Sequence, residues 1–104
     1  MTKKLLYSHW QDVVVYSEKG PQPQVLTEGE GYKAVIVGLK AEGRIPPHEE
    51  GAAIFHFLEG TGSVLVGEES FAVQAGTTVV IPNGAVRGID AETQLAFLAV
   101  RLPR

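Results

Sequence analysis

The chain has 104 residues, 44% of them hydrophobic and 20% charged, with a formal net charge of −3 and no cysteine. That length suits one domain with a single small core, and the composition is that of a globular protein. The mildly acidic balance gives no reason to bind nucleic acid or an anionic membrane, and without thiols there is no disulfide framework, thiolate metal site or cysteine nucleophile. No apolar run reaches the length of a membrane span. The N-terminal segment MTKKLLYSHW lacks the apolar stretch of a signal peptide, so a soluble, cytoplasmic protein is the expectation.

In chain order, residues 1–24 form an N-terminal arm and loop. The arm carries Tyr7, Trp10 and Tyr16, with a strand expected over residues 12–16; such an arm either crosses to a partner or covers its own sheet. The polar, proline-containing stretch EKGPQPQ (residues 18–24) sets it apart as a loop. Thr27-Glu28-Gly29-Glu30-Gly31 has glycines but is acidic, so it would repel phosphate rather than cradle it. A β-branched and apolar run over residues 32–40 predicts the next strand. Further strands are expected over residues 53–58, 63–66 and 70–74, the last two joined as a hairpin through Gly67-Glu68-Glu69. The run over residues 77–81 stops at Pro82-Asn83-Gly84, a turn sequence, and a last strand covers residues 94–102. No segment shows a helical period. Many short strands with tight turns make an all-β domain, and periodicity leaves sandwich and barrel both open.

Two segments carry a resemblance that chooses between them. GRIPPHEEGAAIFHFLEGTG (residues 43–62) and GTTVVIPNGAVRGIDA (residues 76–91) resemble the paired motifs of the cupin superfamily, with Gly76, Pro82 and Gly84 at the spacing of the second motif. The resemblance implies a double-stranded β-helix, an antiparallel jelly-roll barrel. It also implies where a metal-binding member would place its ligands. His48 stands at the first position and Glu50 at the second. Ala53, with six residues between it and Gly60, stands where a glutamate is usual, and Arg87 stands in place of the second-motif histidine. A catalytic transition-metal site generally needs three protein ligands. Two remain, beside a permanent positive charge, so no cofactor is expected; if a metal were present, His48 and Glu50 would hold it.

The expected ligand-binding residues are therefore His48, Glu50 and Arg87 as polar groups, with Phe55 and Phe57 lining the pocket. Glu50 shares strand parity with His48. An inward Arg87 requires a partner, which Glu50 can supply. Alternation from Ala53 through Phe55 and Phe57 puts His56 on the opposite face, with Ile54 and Leu58. Those two, with Ile36, read as outward-facing apolar residues that a homodimer would cover. Three functions fit the sequence. The first is a barrel that binds a small polar or anionic molecule without a tightly held metal. The second is a metal-dependent enzyme of dioxygenase or isomerase type with non-standard ligands, and the third a barrel with a filled pocket and a structural or interaction role.

Overall fold

The computed structural model describes residues 4–103, so the first residues of the expected arm lie outside the described residues. Among the described residues nine strands build two antiparallel sheets: β1 (Gln22–Gly29), β2 (Tyr32–Leu39), β3 (Arg44–Glu49), β4 (Ala53–Glu59), β5 (Thr61–Val66), β6 (Glu69–Gln74), β7 (Thr78–Ile81), β8 (Val86–Ala91) and β9 (Leu95–Arg101). One sheet has the order β1-β2-β9-β4-β7 and the other β3-β8-β5-β6, the interleaved order of a jelly roll. Among the described residues no helix is long and apolar enough to cross a membrane.

Alternation builds the core. On β4, Ala53, Phe55 and Phe57 are buried while Ile54, His56 and Leu58 are half-buried on the other face, as the period of two requires. Phe97 of β9 packs between Phe55 and Phe57, with ring centroids 5.3 and 5.2 Å apart. Leu39, Val64, Ile81, Ile89 and Leu95 complete the set of fully buried large side chains. Each such side chain contributes about 1.5–3 kcal/mol of transfer free energy.

Three strands are not expected from the sequence, and each is a weak strand for a physical reason. β1 lies at a sheet edge, contains Pro23 and has no buried residue. β3 is also an edge strand, which is why its Pro46-Pro47 pair, lacking N–H donors, is tolerated. β8 is interrupted by Gly88, where a side-chain methyl would lie 3.1 Å from the Ile45 carbonyl and 3.2 Å from the Pro47 nitrogen. Conversely, residues 12–16 form no strand; Trp10–Asp12 is a single 3₁₀ turn, and the arm runs on in irregular conformation.

That arm lies across its own outer sheet face. Gly38 of β2 pairs with Ala96 of β9, and a side chain at Gly38 would collide with the Val15 carbonyl. The two small residues thus leave a trough that the arm fills. The Tyr7 hydroxyl donates to the Leu26 carbonyl (3.2 Å) and the Tyr16 hydroxyl to Glu59 Oε2 (2.6 Å). Ile36, expected to await a second copy, is 4% exposed within the single chain and so offers a partner no area. Ile54 and Leu58 remain half-buried on that face, and Val80 beside Ile54 is 69% exposed.

Candidate functional site

One end of the space between the sheets stays open as a cavity of about 220 Å³. Its wall is apolar: Val35 and Val37 from β2, Phe55 from β4, Ile89 from β8, and Phe97 and Ala99 from β9. Pro21 and Pro23 also line it, and its polar lining groups are the exposed His48, Glu50 and Arg101 and the buried Arg87. Of the five residues expected to bind ligand, His48, Glu50, Phe55 and Arg87 line this cavity. Phe57 does not: it is fully buried under Phe97, because one further step of alternation along β4 carries it past the open end into the filled core. His56 takes the opposite face as expected, its Nδ1 2.7 Å from Thr78 Oγ1.

His48 reaches the cavity through a bulge. Ile45 pairs with Ile89 and His48 with Arg87, so β3 carries one extra residue over this interval. Plain alternation from the inward-facing Ile45 would turn His48 outward; the proline-bearing bulge turns it in. Its Nδ1 lies 3.0 Å from the Pro46 carbonyl, which can only accept, so Nδ1 donates. In the neutral ring this leaves the Nε2 lone pair directed at the mouth, 3.6 Å from Glu50 Oε2.

Arg87 is 2% exposed. Its Nε and Nη2 donate to the Ala85 carbonyl at 3.1 and 3.0 Å, and Nη2 donates to the Glu50 carbonyl at 2.9 Å. Arg87 is thus bonded to Glu50 through the Glu50 main-chain carbonyl, where a carboxylate–guanidinium pair is expected from the sequence. The same carbonyl accepts from the Gly84 N–H at 2.9 Å, where Gly84 holds a left-handed φ of 81° at the end of the Pro82-Asn83-Gly84 turn. The Glu50 carboxylate turns to His48 and to Arg101, whose Nε lies 3.9 Å from Oε2.

Arg101 belongs to neither motif, so motif positions do not point to it. Strand parity does: Phe97, Ala99 and Arg101 alternate along β9 and all three line the cavity.

The donor set does not fit a metal. His48 and Glu50 supply one nitrogen and one carboxylate; the third position is the buried methyl of Ala53, and the fourth is the Arg87 guanidinium. Among the described residues no three His, Asp or Glu side chains gather closely enough to hold an ion.

The two-sheet order, the paired turns and the mouth built from both motif segments agree with a match between residues 35–101 and the family model described as a cupin domain. The chain belongs to the cupin family. Solved structures similar to this cupin include a conserved protein of unknown function from Streptococcus pyogenes, 20% identical, with a TM-score of 0.85 over 100% of this chain and 90% of that one. A protein from Thermus thermophilus is 22% identical with a TM-score of 0.86, over 94% and 97% of the two chains. A predicted oxalate decarboxylase from Thermotoga maritima is 19% identical with a TM-score of 0.76, over 81% of each chain. At these identities the likeness establishes the cupin fold. No curated protein sequence matches the chain.

Proposed function

We propose that this cupin binds a small organic anion, with its apolar body in the cavity and its carboxylate at the mouth, without a tightly held metal. The observation that carries the reading is the pairing of an apolar wall with two guanidinium groups in the cavity lining, Arg87 buried and Arg101 exposed. Arg87 and Arg101 against Glu50 leave the cavity lining with a net charge of +1 while His48 is neutral. A positive charge beside a low-dielectric wall favours an anion over a neutral ligand of the same shape. The volume of 220 Å³ falls below the range of about 300–1,000 Å³ typical of drug-sized ligands, so the body is a short branched chain or a single ring.

Titration calorimetry with straight-chain carboxylates of increasing length, each beside its uncharged amide, tests the proposal. The acids should bind, with affinity rising until the chain fills the cavity, and the amides should bind more weakly. Equal affinity for acid and amide, or no heat from either, would remove the anion reading.

A further inference from the structure

We propose that Glu50 is a resident counter-anion: its carboxylate occupies the anion subsite of the mouth in the free protein, and the carboxylate of an incoming ligand displaces it. The inference rests on the organic-anion reading and names what sets the selectivity of that site.

The position of the carboxylate supports it first. Oε2 stands between His48 on β3 and Arg101 on β9, which belong to different sheets, so the carboxylate spans the mouth. Its engagement there is loose. The separations of 3.6 and 3.9 Å exceed the roughly 2.7–2.9 Å of a charge-assisted hydrogen bond. The side chains of Glu50, His48 and Arg101 are 40%, 42% and 52% exposed, so water screens both contacts.

The main chain beneath is held tightly. The Glu50 carbonyl accepts both from Arg87 Nη2 and from the Gly84 N–H, each at 2.9 Å. Glu50 is thus a side chain on a fixed pivot. Moving its carboxylate into solvent takes a change of rotamer and leaves the loop, the Arg87 bonds and the cavity wall where they are. A ligand carboxylate that replaces it meets the same Arg101 guanidinium, and the His48 ring when that ring is protonated, and it brings an apolar body that Glu50 lacks. Neutral ligands gain nothing from the exchange. Glu50 therefore makes the mouth selective for small monocarboxylates whose apolar part is large enough to offset the displacement.

Calorimetric titration of the whole chain with benzoate and with benzamide, in the wild type and in Glu50→Gln, tests the idea. Gln keeps the main-chain carbonyl and removes the competing charge. Benzoate should bind Glu50→Gln about fivefold tighter than the wild type, the size expected for release from an exposed ion pair. Benzamide should bind both proteins equally. Adding Arg101→Gln should abolish the gain. Should Glu50→Gln fold poorly, Glu50→Ala, which also retains the carbonyl, must show the same order. Benzoate binding both proteins equally would overturn the counter-anion while leaving the organic-anion site intact. Benzoate binding neither would overturn both.

Discussion

Replacing Arg87 tests the interior of the mouth most directly. Arg87→Ala removes the donors to the Ala85 and Glu50 carbonyls and the aliphatic stem that fills the space beneath them. The Glu50 carbonyl keeps the Gly84 N–H, so its loss is one charge-assisted bond, about 1.5–3 kcal/mol. The Ala85 carbonyl loses two donors at once, worth about 1–3 kcal/mol when an acceptor is left unsatisfied. Deleting the stem removes two methylenes at about 0.8 kcal/mol each. Against these stands the relief of a desolvated guanidinium, which offsets several kcal/mol. The net destabilisation should be about 2–4 kcal/mol for Arg87→Ala and about 1–2 kcal/mol for Arg87→Met, which keeps the stem. In a domain of this size 1 kcal/mol moves Tm by about 4–8 °C, so Arg87→Ala should melt about 10–25 °C below the wild type by circular dichroism. Arg87→Lys should fall between, since an ammonium cannot reproduce the fork that serves both carbonyls. A drop of less than about 4 °C for the alanine variant would refute the cross-linking role.

Other consequences can be checked independently. Burial, then the hydrogen bond to Glu59 and its negative charge, push the Tyr16 phenol well above its ordinary value. The stability this contributes is fully present below the unfolded phenol's pKa of about 10 and is lost as pH climbs above it toward the folded value. Tyr16→Phe should therefore cost about 1–2 kcal/mol at neutral pH and flatten the alkaline fall in Tm; an unchanged alkaline limb would count against the contact. Protein purified without added metal should hold well under one equivalent of iron, manganese, zinc or nickel, because the donors stop at His48 and Glu50. Stoichiometric metal that survives chelator dialysis would disprove this by elemental analysis. We propose, too, a two-fold dimer through the outer face around Val80 and Ile54. Light scattering should give the mass of two chains, and Val80→Arg should give one; a single-chain mass for the wild type would exclude the dimer.

Among the strands that can be placed from the sequence, β2 and β9 have both faces filled over most of their length. Residues 32–40 and 94–102 read as strands because β2 and β9 lie side by side in the middle of the larger sheet, and their apolar content is nearly continuous. β1 and β3 escape because prolines at an edge look like loop residues. Residues 12–16 mislead for the opposite reason. Val13, Val14 and Val15 have the composition of a strand, but the segment crosses a sheet face, with Val14 and the Val15 carbonyl against Gly38, instead of joining a ladder, and composition does not distinguish the two. At the mouth, His48, Glu50 and Arg87 are legible through their motif positions. The carbonyl bonding of Arg87 is not, since it depends on main-chain groups that any residue supplies. Arg101 is legible in principle from parity along β9.

The same edge prolines bear on how the protein can associate at all. A strand from another chain can extend a sheet only where an edge presents an unbroken row of donors and acceptors. β1 interrupts that row with Pro23 and with a register shift between Val25 and Thr27, and β3 with Pro46 and Pro47. β7, the other edge of the larger sheet, spans four residues and runs directly into Pro82. Three of the four sheet edges thus offer a templating chain a broken or very short track. Growth into cross-β polymers is blunted at the backbone, even though strand makes up most of the fold.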